Sequence, residues 1–275
     1  MIQKIVSEGG CSKKNKKEQI KKHIKGILIC FTNMTSNCAL YCLNFKNDIR
    51  AISMKQRFLK TGIDAVLHPG VPNSDPRIAG RNLIPHTEKC WSCMYGHLDM
   101  IRDFLVNDSR PYGVFCEDDI LIDAKFKSRL EHILVDFEAM QMDTMLLGYL
   151  ITYPIVGESN GQFAKHHQSI YVDLDTTETT TFRYYDYGDI WGTQMYLLSR
   201  TQAQRIVEKY ANGYADLKDL PFSADWTITK EGKRCIVYPM LAIEDGLTKY
   251  GENEGGQQEF HMMAHSSHLH ISKYI

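Results

Sequence analysis

Short apolar runs that alternate with amphipathic helical patterns constrain this chain more than any other feature. The β-type runs are Ile24 to Phe31, Leu40 to Phe45, Ala65 to His68, Tyr112 to Cys116, Thr144 to Tyr149, Gln194 to Leu198 and Arg234 to Tyr238. Between them, Asp48 to Lys60 and Glu88 to Val106 read as helices. In the second, Trp91, Met94, Leu98, Ile101 and Leu105 recur at steps of three and four. Asp123 can cap a third helix running to Met140, and Ser199 or Thr201 a fourth through Tyr210. The apolar runs are nearly continuous, as strands covered on both faces require. The pattern predicts an α/β fold with a mostly parallel central sheet flanked by helices, and it puts functional residues at the carboxyl ends of the strands. Pro69 to Pro85 and Gly157 to Asp189 interrupt the alternation and read as long surface loops.

With 275 residues, 43% of them hydrophobic, the chain can bury a sizeable core. Its formal net charge of -1 excludes the broad basic field of a dedicated nucleic-acid binder. Charge is uneven, because Lys4, Lys13, Lys14, Lys16, Lys17, Lys21, Lys22 and Lys25 crowd the start of the chain. The reading is a basic tail over residues 1–23, either solvated or in peripheral contact with an anionic membrane, followed by a single domain over 24–275. No apolar run approaches the roughly 18 residues of a membrane span, and no signal-type segment opens the sequence, so a cytoplasmic protein is expected.

The cysteines are scattered and read as reduced thiols packed as small hydrophobes. Cys90, Cys93 and His97 fall at i, i+3 and i+7 of the second helix, along one face. That spacing can begin a zinc site, but a structural zinc needs a fourth ligand, and core packing is the default.

The strongest chemical signal is "GVFCEDDILI", Gly113 to Ile122, where Glu117, Asp118 and Asp119 stand between two apolar runs. Three adjacent carboxylates at the edge of a core are costly unless solvated, hydrogen-bonded or paired with a cation. At a strand's carboxyl end, Glu117 and Asp119 can share Mg2+ or Mn2+ with ligand phosphates, since both ions prefer oxygen donors. The competing reading has the acids cap the next helix and pair with Lys125, Lys127 or Arg129. No P-loop, G-x-G-x-x-G turn or G-x-S-x-G elbow occurs, which removes the usual grounds for a P-loop NTPase, a dinucleotide oxidoreductase or an α/β-hydrolase.

Taken in order, "LYCLNFKNDIR" (Leu40 to Arg50), "CMYGHL" (Cys93 to Leu98), "FCEDDILI", "DTMLLGY" (Asp143 to Tyr149), "GTQMYLLSRTQAQRIVEKY" (Gly192 to Tyr210), "PFSADWTIT" (Pro221 to Thr229) and "VYPMLAIEDG" (Val237 to Gly246) resemble segments of glycosyltransferase family 25. That family includes lipopolysaccharide β-galactosyltransferases and procollagen galactosyltransferases. Phe45 stands where the family usually has Leu, and Gly96 where it has Ser.

The resemblance implies a GT-A fold and a metal-dependent, inverting glycosyltransferase that moves a sugar from a nucleotide sugar, UDP-linked, to a carbohydrate acceptor. It implies Mn2+ or Mg2+ on Asp119 and Glu117, with the late histidines His265 and His261 as further candidate ligands. Asn44 and Arg50 are placed to meet the base and diphosphate, Arg through its bidentate fork, with His97 and Asp118 also counted at the donor site. Asp225 is the candidate base for the acceptor hydroxyl, with Asp245, Glu244, Asp189 and Asp186 as alternates. Trp226, Trp191 and Asp189 are candidate acceptor contacts. Two readings stay open beside this one: a divalent-metal phosphoryl or nucleotidyl transferase, and a non-catalytic sugar-nucleotide-binding protein.

Overall fold

A computed structural model of the chain describes residues 34–79, 87–149, 168–172, 179–185, 192–210, 224–230, 232–245 and 271–275. The run Ile24 to Phe31 and the basic tail lie outside these residues.

The first described strand, β1 (Cys38–Asn44), leads into helix α1 (Asp48–Thr61) and strand β2 (Val66–Pro69). Asn47 caps α1 by accepting the backbone N–H of Arg50, and Gly62 ends it with a left-handed φ of 68°. The cap holds Arg50 in the first turn, close to the end of β1. Helix α2 (Glu88–Asn107) follows, then β3 (Tyr112–Glu117), β4 (Ile120–Ile122), α3 (Phe126–Ala139) and β5 (Thr144–Gly148). Next come β6 (Gln168–Val172), β7 (Thr179–Tyr185), β8 (Met195–Ser199), α4 (Arg200–Lys209), the single turn α5 (Ala224–Thr227), β9 (Arg234–Tyr238) and β10 (Ala242–Glu244).

Among the described residues, eight strands form one sheet in the order β2-β1-β3-β8-β5-β9-β7-β6, and β10 pairs with β4 in a second, two-stranded sheet. The pairing senses make six strands of the large sheet co-directional, with β8 and β7 reversed. The predicted α/β class with a mostly parallel sheet flanked by helices is what forms. Alternate residues of β1 feed two cores. Ala39, Tyr41 and Leu43 pack with Trp91, Leu98 and Phe104 of α2 and Ala203 and Ile206 of α4. Cys38, Leu40 and Cys42 pack with Met54 and Phe58 of α1 and Leu130, Ile133 and Phe137 of α3. Helices thus cover both faces, which is why these strands lack polar alternation.

β1 lies between β2 and β3, so the chain leaves it in one direction through α1 and returns past it through α2. The carboxyl ends of β1 and β3 therefore flank the point where strand order reverses, the place where open α/β sheets form their ligand crevice.

Two expectations need correction. Gly157 to Asp189 is not wholly loop: it contains the antiparallel hairpin β6–β7, which extends the sheet through β9. Thr, Tyr and Phe in "TTTFRYY" are strand formers, Phe182 and Tyr184 are buried, and the Tyr184 hydroxyl donates to Asp136 across 2.6 Å. Asp123 does not cap α3, because the cap position is Lys125. Instead Asp123 accepts the Lys125 N–H and forms a buried 2.6 Å ion pair with Arg129. Among the described residues, no helix is long and apolar enough to cross a membrane.

Candidate active site

The acidic triplet sits where the sheet ends. β3 stops at Glu117, and the chain bends through Asp118 and Asp119 before β4 pairs with β10. The bend gives the three carboxylates different partners. Asp118 accepts from Asn44 Nδ2 at 2.6 Å and from Arg50 at 3.3 Å, and the same guanidinium nitrogen lies 3.2 Å from Asp119. Part of the counter-charge that the triplet demands is therefore Arg50, supplied from the first turn of α1. This pairing replaces the alternative in which Lys125, Lys127 or Arg129 took that place, since Arg129 is held by Asp123.

Glu117 turns the other way. Its Oε1 accepts from the Thr193 hydroxyl at 2.6 Å and lies 3.4 Å from His97 Nε2. Thr193 is also 3.1 Å from Asp225 Oδ1, so one hydroxyl bridges the β3 end to α5. His97 is fully buried, and its Nδ1 is 2.9 Å from the hydroxyl of Tyr196 on β8. Cys93, one turn before His97 on α2, brings its sulfur to 4.0 Å from Glu117 Oε1. Cys90 is exposed and does not share this cluster, so the predicted face of three ligands reduces to two.

β10 adds Glu244 opposite Ile120, beside the triplet. Asp245 goes elsewhere: its carboxylate forms a 2.5 Å buried ion pair with Arg57, while its backbone N–H donates to the Asp119 carbonyl at 2.6 Å. Asp245 therefore fixes the turn instead of facing the cleft. The cleft itself has a volume of about 420 Å3 and is lined by Phe45, Arg50, Lys89, Cys93, Glu117 and Asp119, among others. Gly96 lies beneath it. A Cβ there would come within 3.0 Å of Leu43, a further cleft-lining residue, which fits glycine where the resembled motif has Ser.

Crowded acids repel one another's ionisation. Burial and then the Glu117 charge push Asp119 up to about 7. Burial, Asp119 and Glu117 push Glu244 up to about 8, and burial with Glu117 raises Asp225 to about 6. Glu117 moves the opposite way: burial raises it, but hydrogen bonds from His97 and Thr193 and the Arg50 charge outweigh that and leave it below its usual range. The cluster thus pairs one readily ionised carboxylate, Glu117, with Asp225, Asp119 and Glu244, which ionise in succession as pH rises from about 6 to about 8.

These shifts fix the sign of a pH effect. Between about pH 4 and about pH 8 the folded chain binds more protons at Asp119, Asp225 and Glu244 than the unfolded chain does, so stability falls as pH rises through that window. In chelator, the melting temperature is expected to drop from about pH 5 to about pH 8. Added Mn2+ is expected to restore it mainly at the upper end, and Glu244→Gln to flatten the upper limb. Thermal melts across pH, with and without the metal, check this.

Asn44, Arg50, His97, Glu117, Asp118, Asp119, Asp225 and Glu244 are thus brought to one region. Trp226 follows Asp225 in α5, but its side chain lies outside the described structure, as do Trp191, Asp186, Asp189, His261 and His265. Thr193 and Tyr196 were not singled out as site residues. Their only signal was membership of the "GTQMY" segment.

No protein-family model matches the chain, and no curated protein matches it in sequence. Solved structures do resemble it at low identity. A glycosyltransferase involved in glycosylation of the major capsid of PBCV-1 is 11% identical, with 82% of this chain and 98% of that one covered and a TM-score of 0.43. A197 from STIV is 11% identical, with 73% and 81% covered and a TM-score of 0.36. The inositol-1-phosphate CTP transferase from T. maritima is 8% identical, with 85% and 79% covered and a TM-score of 0.31.

Proposed function

We propose that the chain is a metal-dependent, inverting glycosyltransferase of the family 25 type, moving a sugar from a nucleotide sugar, UDP-linked, to a carbohydrate acceptor in glycan or lipopolysaccharide-type synthesis. The observation that carries the reading is the cleft at the strand-order reversal, where Arg50 and a buried carboxylate cluster face one another across the ends of β1 and β3. Arg50, with Asn44, meets the donor's diphosphate and base. Glu117 and Asp119 are assigned to Mn2+ or Mg2+, with His261 and His265 as further candidate ligands. A bound divalent ion there supplies Lewis-acid stabilisation of the leaving nucleoside diphosphate.

Asp225 supports the acceptor half-reaction. As the acceptor oxygen attacks the anomeric carbon, Asp225 takes its proton, the bond from that carbon to the diphosphate oxygen breaks, and the nucleoside diphosphate departs. A pKa of about 6 suits a base that must be ionised near neutrality and still accept a proton. The Thr193 hydroxyl lies 3.1 Å from its Oδ1. Trp226, Trp191 and Asp189 are assigned to the acceptor, and the reaction to the cytoplasm.

The test is product identity. Purified protein with a panel of nucleotide sugars and Mn2+ is expected to release nucleoside diphosphate and to pass the sugar to an acceptor or, slowly, to water. Release of inorganic phosphate or pyrophosphate instead assigns a phosphoryl or nucleotidyl transferase. Binding with no product in any combination assigns a non-catalytic sugar-nucleotide-binding protein.

A further inference from the structure

We infer that Cys93 Sγ, His97 Nε2 and Glu117 Oε1 form a site for a borderline transition metal of the Zn2+ class, at the floor of the cleft, sharing Glu117 with the proposed donor site but argued without the transferase reading. The three donor atoms lie within 4.8 Å of one another, with 3.4 Å between His97 and Glu117 and 4.0 Å between Cys93 and Glu117. A tetrahedral ion with bonds of about 2.0–2.3 Å holds its ligand atoms roughly 3.4–3.6 Å apart, so the set is within a small side-chain adjustment of that geometry. Cys93 and His97 are four apart on α2 and project from one helical face, while Glu117 comes from a strand end braced by the sheet. The donors are therefore fixed by three-dimensional structure and not by a flexible loop.

The surroundings match those of a metal ligand set. Tyr196 Oη lies 2.9 Å from His97 Nδ1. With metal bound, His97 would give up the Nε2 proton it offers Glu117, and Nδ1–H would donate to that hydroxyl, which is the outer-shell support that metal-bound imidazoles use. Thr193 donates to Glu117 Oε1 and so fixes the carboxylate. Cys93 and Glu117 line the cleft whereas His97 is fully buried behind them, so an ion held here keeps its remaining position toward the cleft. Thiolate with imidazole selects Zn2+ or Co2+ over Mg2+ or Mn2+, which distinguishes this site from the Mn2+ or Mg2+ site proposed on Asp119 and Glu117. Binding forms the S–metal bond as the thiol proton leaves to solvent, one proton per ion from Cys93.

The test uses the reduced, chelator-stripped full chain titrated with Co2+ alone. One equivalent is expected to give visible bands of a four-coordinate ion together with a near-ultraviolet thiolate-to-cobalt charge-transfer band, both erased by Zn2+. Cys93→Ser is expected to remove the charge-transfer band, and Tyr196→Phe to weaken Co2+ by about 10- to 100-fold. Cys90→Ser is expected to leave the spectrum unchanged. No charge-transfer band with the wild-type chain, or one that survives Cys93→Ser, overturns the inference. The wild-type spectrum alone decides if a variant fails to fold. Because the readout is metal binding, its failure leaves the transferase reading standing, and failure of sugar transfer leaves the metal site standing.

Discussion

Asp225→Asn is expected to lower sugar transfer by about 10²- to 10⁴-fold, the usual contribution of a positioned general base, while nucleotide-sugar affinity stays near wild type. The amide keeps the size of the carboxylate and can still meet the Thr193 hydroxyl, so the loss isolates proton acceptance from packing. Because a base must be ionised to act, wild-type turnover should fall as pH drops through about 6, the value to which burial and Glu117 raise this group. The variant should lack that limb in its residual rate. Turnover near wild type, with the limb intact, would move the base to another carboxylate, with Glu244 on β10 the next in position.

Arg50→Ala is expected to carry the second large effect, on stability and on donor binding together. Arg50, Asp118 and Asp119 have side chains only 14%, 8% and 15% exposed, so removing the guanidinium leaves two sheltered carboxylates short of a cation. Breaking a buried pair costs about 3–5 kcal/mol, and the residual exposure here places the expectation near about 3 kcal/mol. The cost should shrink toward about pH 5, where Asp119 takes a proton and needs less counter-charge. Arg50→Lys restores a point charge but not the planar guanidinium that suits a diphosphate, so it should recover stability better than donor affinity. Urea unfolding at two pH values and titration calorimetry with a nucleotide sugar read the two effects separately.

Much of the fold was legible because its signals are local. The step of three and four in Glu88–Asn107 and the apolar runs at Tyr112–Glu117 and Arg234–Tyr238 each report a burial pattern without help from distant residues. The β6–β7 hairpin was missed because its Asp- and Thr-rich surroundings resemble loop, and its strands are secured by pairing with β9 rather than by their own pattern. In the site, the triplet announced that a cation was needed, and the segment order placed Asp225 and Arg50 among the candidates. What sequence could not give was the partition of the triplet. The bend after Glu117 sends Asp118 and Asp119 to Arg50, nearly 70 positions away, and Glu117 to His97 and Thr193. A strand continued through Asp119 would point Glu117 and Asp119 the same way, and nothing local to either residue signals the turn that Asp245 and Arg57 hold in place.

The most direct measurement is titration calorimetry of the full chain with a panel of nucleotide sugars, with and without Mn2+, repeated on Asp119→Asn. Saturable binding of at least one nucleotide sugar, strengthened by Mn2+ in the wild type and insensitive to Mn2+ in the variant, is the predicted result. Absence of binding by every nucleotide sugar, with and without the metal, would contradict the assignment of the β1–β3 cleft as a donor site.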